Sequence, residues 1–403
     1  MKVRNNYNRC LTNFACSIRK YFGLDYSHKT LDIVDEILER YNPKNVVTIL
    51  LDGLGTNILE EITYANDLFL VDHIKSSITT VFPATTVAAT TSVMTGLNPV
   101  ETGMLGWDMY LKGIDKTITT FLHCEKGDDS ETPLPEAREY LKKHMKTKTI
   151  MQEIEEKGEY KAFSVIPFGD FPYSTTDEMF NDIETLCKLE GKKYIYAYNM
   201  EPDQTMHQLG CRSSRVLEII KEFDKRIERL SRKLQDTVIF VIADHGHLNV
   251  QNIFLEEYPE ILQCLHRTTS IEPRAVNFFI KEDKKDIFED LFNKLFGDDF
   301  DLYKMEEVIA SHLFGDGEEN EVFRDLLGDY LAIGKTNKTL LCGGNNVLRS
   351  QHAGITDDEI YVPLIAIETR KWSFWGHELF VSKTSNLRLL VRVPVCRNVA
   401  ELT

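Results

Sequence analysis

The chain has 403 residues, 42% of them hydrophobic and only 12 of them proline, which suits one large domain with an insertion, or two domains, and excludes a disordered chain. Acidic residues outnumber basic ones by 63 to 47, a formal charge of −16. Such a surface repels polyanions, so nucleic-acid polymers and anionic membranes are excluded as principal partners, while a small phosphate ester stays open where cations supply local positive charge.

The N-terminal stretch MKVRNNYNRCLTNFACSIRKYFG is basic but lacks the apolar run of a signal peptide, and no later segment reaches bilayer-spanning length. A cytoplasmic protein is expected, with oligomeric state left open. The eight cysteines (Cys10, Cys16, Cys124, Cys187, Cys211, Cys264, Cys342 and Cys396) include no C-x-x-C pair, which argues for reduced, mostly buried thiols and against a thiolate metal site.

In chain order, strands are predicted at 45–52 (NVVTILLD), 77–81 (SITTV), 193–199 (KYIYAYN), 237–244 (TVIFVIAD) and 360–367 (IYVPLIAI). Between the third and fourth, Val216, Ile219, Ile220, Phe223, Ile227, Leu230 and Leu234 recur on one face of a helix opened by Ser213 or Ser214. That is a β-α-β unit. From about Pro273 to Tyr330 the texture changes: RAVNFFIK reads as a strand and DIFEDLFNKLFG as a helix closed by Gly297. The expected fold class is α/β, a mostly parallel central sheet with helices on both faces. Residues 1–270 and 340–403 form its main body, and residues 271–339 an inserted α+β subdomain. The stretch GDYLAIGKT, 328–336, is not a phosphate loop, because five residues separate its glycines where four are required.

Residues able to do chemistry lie at the joints between these elements. Asp52 emerges from the carboxyl end of a buried strand, where open parallel sheets keep their ligand crevices, although an aspartate there also serves as a turn former. Asp203 and His207 stand four apart in EPDQTMHQLG, so one helical turn aims both at one point; a surface hydrogen-bonded turn is the ordinary alternative. Asp244 and His245 follow the apolar run of the 237–244 strand, and burying an ionised aspartate beside a histidine needs compensation, usually a metal. His352 sits in the glycine-flanked turn SQHAGIT. Thr85 and Thr86 occupy a strand-to-helix joint, where either also suits as a helix cap. Three carboxylates and three imidazoles divide into two oxygen/nitrogen sites that suit zinc, or else manganese: Asp203, His207 and His352 in one, Asp52, Asp244 and His245 in the other.

With LLDGLG, FPATTVAATTSVMTG, DQTMH, ADHGH and HAG in this order, the chain resembles the alkaline phosphatase superfamily and, within it, the nucleotide pyrophosphatase/phosphodiesterase-like branch. The resemblance spans all but the N-terminal helix region and much of the 271–339 segment. It implies an alkaline phosphatase-like fold and the same two divalent cation sites, with the Asp52, Asp244 and His245 metal also touching the nucleophile. Counted back from Thr95 and Gly96, the nucleophile falls on Thr86, with Thr85 its neighbour. It further implies hydrolysis of phosphodiesters or nucleotide pyrophosphates through a covalent phospho-threonine.

One position departs from that pattern. Where characterised phosphodiesterases of this branch place an asparagine that holds a phosphoryl oxygen, GMLGWD has Trp107. Either backbone N–H groups hold the oxygen or the ester specificity differs. Trp107 itself is expected to be a buried structural residue, the alternative being that it stacks on a base or lines an apolar pocket. His247 is expected behind the metal ligands or on the substrate. Sulfatases need a C/S-x-P-x-R run that is missing here, and the related phosphoglycerate mutases use serine. Phosphomonoester and phosphonate hydrolysis remain alternatives, the former disfavoured because no arginine is assigned to a dianionic substrate. A catalytically silent metal-dependent phosphate- or nucleotide-binding protein is the alternative of another class. The complete ligand set beside an intact Thr86 argues against it.

Overall fold

A computed structural model describes residues 5–63, 67–343 and 347–371. Cys396, and the part of the expected main body from 372 to 403, lie outside the described residues. The central sheet is built from β1 (Asn45–Leu51), β2 (Ile74–Thr79), β3 (Lys161–Val165), β4 (Lys193–Asn199), β5 (Thr237–Ile242) and β6 (Tyr361–Glu368). They lie in the order β2-β6-β5-β1-β4-β3. β1 and β5 are buried at every position, which is why they read as continuous apolar runs rather than alternating ones.

The parallel expectation holds for β5, β1, β4 and β3 and fails at β6, which runs antiparallel to both β5 and β2. The chain reaches β6 from the edge where the parallel strands end, so it can only enter the sheet running back. β3 is absent from the predicted strands: it is a five-residue edge strand with partly exposed positions, too short and too mixed to give an alternation. The helix between β4 and β5, Ser214–Lys233, buries Val216, Ile219, Ile220, Phe223, Ile227 and Leu230 as the spacing predicts, and Ser213 caps it by accepting the Val216 N–H at 3.3 Å.

A second, antiparallel sheet has seven strands, in the order 300–304, 330–334, 275–278, 270–272, 108–111, 116–119, 124–125. Segment 271–339 therefore shares its sheet with strands from residues 108–125. Ala275 and Ile333 join one apolar cluster, while Val276 and Ala332 join another on the opposite face. That is the period-two alternation of a sheet covered on both sides. On the latter face, helix Lys285–Phe296 buries Phe288, Phe292 and Phe296, a stripe at four-residue spacing. Gly297 ends it with φ −61°, without the left-handed turn expected of a closing glycine.

The N-terminal helix Leu11–Tyr21 lies against the helix Thr86–Thr95. Arg19 donates to Thr95 O at 2.8 Å, a cation at the negative end of that helix. The described cysteines are all free thiols. Burial pushes Cys187 and Cys211 up to about 12, so neither is an activated nucleophile. No helix of the described residues is long and apolar enough to cross a membrane.

Candidate active site

Parallel register aligns the carboxyl ends of three strands, with Leu51 beside Asn199 and Leu50 beside Ile242. Asp52 follows β1 directly, Asp244 stands two residues past β5, and the helix Asp203–Leu209 begins four residues past β4. The Asp52 N–H donates to Asn199 O at 3.0 Å and the Asp203 N–H to Asp52 O at 3.1 Å, so the loop after β4 is stitched across the end of β1. Glycines permit the approach. Gly53 has φ +72°, and a Cβ there would meet Met206 Cε at 2.9 Å and Asp203 Cβ at 3.1 Å; a Cβ on Gly55 would lie 2.4 Å from Gly246 Cα. LLDGLG and ADHGH are two loops pressed backbone to backbone.

The imidazoles close over this edge. His207, one turn after Asp203, puts Nε2 3.3 Å from Asp203 Oδ2. Strands Leu248–Asn249 and Ser350–Gln351 pair antiparallel, with Gln351 opposite Leu248, and continuing that ladder one step sets His352 against His247, their ring centroids 5.1 Å apart. His247 Nε2 is 2.5 Å from Asp203 Oδ1, and His352 Nε2 is 3.9 Å from the same oxygen. Asp203, His207, His247 and His352 each present a ligand atom within 4.8 Å of the others, and Asp52, Asp203 and His245 do likewise. His245 Nε2 stands 3.4 Å from Asp52 Oδ1 and 3.6 Å from Asp244 Oδ2.

Main-chain carbonyls orient the rings. His207 Nδ1 donates to Ser350 O at 2.9 Å, His245 Nδ1 to Gly246 O at 3.1 Å and His352 Nδ1 to Ala84 O at 3.0 Å. A carbonyl only accepts, so each Nδ1 carries a proton, which leaves Nε2 as the inward-facing nitrogen free to act as a metal ligand. Burial holds His352 well below the usual imidazole range and lowers His247 to about 4, which keeps both neutral. Burial, with Asp244 and Asp203 adding to it, raises Asp52; burial raises Asp244 as well. Burial also works against ionised Asp203, but the charge that His207, His247 and His352 carry once protonated in acid, together with the His247 hydrogen bond, outweighs it and holds that carboxyl well below its usual range.

Asp52 Oδ1, Asp244 Oδ2 and His247 Nδ1 are buried with no hydrogen-bond partner among the described residues. Orphaned acceptors of this kind are costly unless a cation or water meets them. The residues present fit divalent cations: oxygen and nitrogen donors, no thiolate, and inward lone pairs already oriented.

Thr86 opens the helix Thr86–Thr95 directly above this cluster. Its Oγ1 lies 3.2 Å from His245 Nε2 and 3.5 Å from Asp52 Oδ2. Thr85 is the N-cap residue by backbone conformation but makes no side-chain cap bond; its hydroxyl is turned towards Glu272 and donates to Oε1 at 2.5 Å. Thr90, Thr91 and Thr95 bond back to carbonyls four residues earlier, at 2.6, 2.7 and 2.8 Å, and serve the helix. Trp107 is 42% exposed, not buried as expected, and meets the 40%-exposed Phe121 edge to face at 6.1 Å. Its backbone is what the fold fixes: the Trp107 N–H donates to Glu272 Oε1 at 2.8 Å, which leaves the ring at the surface.

Residues 46–346 match the type I phosphodiesterase / nucleotide pyrophosphatase family. The chain belongs to this family. It is thereby a hydrolase acting on phosphate esters, in a family that typically uses two metal ions. Solved structures of ectonucleotide pyrophosphatase / phosphodiesterase 5 are similar in fold. The murine protein has a TM-score of 0.59 at 17% identity, over 82% of this chain and 88% of that one. An inactive threonine-to-alanine variant of it in complex with AMP gives 0.60 at 17%, over 81% and 91%. The human protein gives 0.58 at 16%, over 81% and 91%. No curated protein sequence matches the chain.

Against the family's motifs, sequence reasoning missed three side chains at the site. Tyr198 donates to Asp52 Oδ2 at 2.6 Å, and burial raises its hydroxyl well above the usual range, so it remains a donor. Its signal was available, since the penultimate residue of β4 lies beside the end of β1. Asn57, two residues past the LLDGLG loop, donates to His247 O at 2.8 Å. Glu272 comes from the second sheet, and nothing local in the sequence marks it.

Proposed function

We propose that the chain is a two-metal hydrolase of phosphodiesters or nucleotide pyrophosphates that works through a covalent phospho-threonine on Thr86. The observation that carries this reading is Thr86 Oγ1, 3.2 Å from His245 Nε2 and 3.5 Å from Asp52 Oδ2, at an uncapped helix N-terminus. Asp203, His207 and His352 would hold one cation and Asp52, Asp244 and His245 the other, with zinc the expected ion and manganese the alternative. His247, on Asp203 at 2.5 Å, steadies that carboxylate. When bound, the cations supply Lewis-acid stabilisation of the threonine alkoxide and of charge developing on the phosphoryl and leaving oxygens.

The chain's own groups do the rest. Thr86 Oγ1 attacks phosphorus, its bond to phosphorus forms as the ester P–O bond breaks, and the alcohol or nucleotide departs with a proton that balances the one lost by the threonine hydroxyl. The helix positive end and its first-turn N–H groups face a non-bridging oxygen. Tyr198 and the Gly53 N–H, the latter 3.0 Å from Asp244 Oδ1, fix the two carboxylates behind the threonine. Water then adds its oxygen to phosphorus as the Thr86 Oγ1–P bond breaks, a proton returns to Oγ1, and the phosphoryl group leaves as a phosphate monoester.

Two observations favour a diester or nucleotide. The half-exposed Trp107–Phe121 pair offers a face on which a base can stack, and a structural neighbour was solved with AMP. A zinc-loaded sample should release nitrophenol from bis(4-nitrophenyl) phosphate, and Thr86→Ala should abolish this while the bound metal stays. Metal retained without turnover on diesters, monoesters, phosphonates or sulfate esters would favour the silent binding protein instead.

A further inference from the structure

The hairpin of strands Ser270–Glu272 and Ala275–Phe278, closed by Pro273 and Arg274, reaches from the second sheet to the Thr86 helix. Glu272 at its tip is 6% exposed, and a single oxygen, Oε1, accepts both the Thr85 hydroxyl at 2.5 Å and the Trp107 N–H at 2.8 Å. A threonine at the N-cap ordinarily turns its oxygen onto the N–H groups of the first turn. Thr85 has the extended N-cap backbone, φ −139° and ψ 151°, yet makes no such bond.

We propose that Glu272 is a positioning residue of the reaction: by holding the Thr85 hydroxyl it keeps the first-turn amides beside Thr86 open for a phosphoryl oxygen, and by holding the Trp107 N–H it sets the aromatic face at a fixed place relative to the nucleophile. The proposal rests on Thr86 being that nucleophile. A capped helix would present its amides to its own threonine, and an incoming phosphate would have to displace that bond. With Glu272 in place nothing needs displacing, so the amides are preorganised.

The charge state of Glu272 agrees with this geometry. Burial raises its carboxyl to about 8, with Asp108 and Asp203 adding to the effect. Facing it, Asp108 is paired with Lys126 at 3.1 Å, and Arg274, the cation of its own hairpin, is spent on Glu359 at 2.6 Å. At neutral pH the group is an uncharged acceptor that does not repel a phosphate.

The test is steady-state kinetics on bis(4-nitrophenyl) phosphate with zinc-loaded protein and measured metal content. Glu272→Gln keeps the acceptor oxygen and should keep kcat within a few-fold. Glu272→Ala should lower kcat roughly tenfold to a hundredfold with metal content unchanged, because Thr85 is released to cap the helix. Adding Thr85→Val, which has the same shape but no oxygen, should recover most of that loss. Should Ala destabilise the hairpin, Glu272→Leu fills much of the volume without an acceptor, and the same recovery is read on it. Unchanged kcat in both Ala and Leu variants, or no recovery with Thr85→Val, overturns the proposal. Activity surviving in Thr86→Ala would instead overturn the nucleophile assignment, whatever the Glu272 variants do.

Discussion

The imidazoles of His245 and His352 lie face to face, centroids 3.8 Å apart and planes within 19°. Each belongs to a different proposed cation site, so the two sites share a wall. Removing one ring disturbs both. His352→Ala should weaken zinc binding at the Asp203 set outright and at the Asp52 set by roughly tenfold or more through loss of ring orientation. Zinc titration of the variant checks this; an unaltered second binding event would separate the sites.

Removing metal should cost stability as well as turnover. Asp52 Oδ1 and Asp244 Oδ2 are then left buried without a donor, and a ligand present at a thousand times its Kd stabilises the fold by about 4 kcal/mol. Chelation by EDTA should abolish hydrolysis and lower the melting temperature, and added zinc should restore both.

Glu272 gives a pH signature with a definite sign. Its carboxyl is raised from 4.5 to about 8 by burial, so between those values the native state holds a proton that the unfolded state has lost. The stability it contributes is full below about 4.5 and falls as pH rises towards 8. Glu272→Gln cannot ionise. On metal-free protein, its melting temperature relative to the unsubstituted chain should therefore climb between pH 5 and pH 8.5, while other titrations cancel in the difference.

Arg274 and Glu359 are both fully buried and form a fork, 2.6 and 2.9 Å. Glu359 also accepts the Gly354 N–H at 2.7 Å and the Thr356 hydroxyl at 2.7 Å, holding the loop that carries His352. Arg274→Met leaves that carboxylate buried and unpaired, which should cost about 3–5 kcal/mol. Denaturant unfolding measures it. The pair replaced together, by Met and Leu, should recover part of the loss.

Trp107→Ala should raise KM for a nucleotide ester by roughly fivefold or more, given about 1–3 kcal/mol for a stacked base, with a smaller effect on kcat. An alkyl diester with no base should be nearly indifferent. Equal losses on both substrates would assign Trp107 to structure.

What could be read from the sequence follows from how far apart the informative residues are. Asp52 and Asp244 were legible because a buried strand writes an unbroken apolar run and the first charge after it marks the sheet's ligand edge. His207 was legible from its four-residue offset from Asp203. The direction of β6 was not, since an apolar run does not state which way it enters a sheet. Strands at 108–111, 116–119 and 124–125 are four residues or fewer, shorter than any period can be recognised. Glu272 was invisible for a different reason: 165 residues separate it from Trp107, and the pairing of Ile271 with Asp108 in the second sheet brings them together. The exposure of Trp107 could not be anticipated either, because it is set by that distant backbone contact rather than by the ring's own hydrophobicity.

The hairpin that ends at Pro273 and Arg274 grips two things at once: Thr85 through Glu272, and the turn bearing His352 through Arg274 and Glu359. One reversal of chain thus keeps the threonine that precedes Thr86 and the turn of a neighbouring imidazole in step, like a shared hinge pin. A lineage altering the outer sheet to admit a new ester would have to leave this one corner untouched, or rebuild its reaction centre along with its specificity.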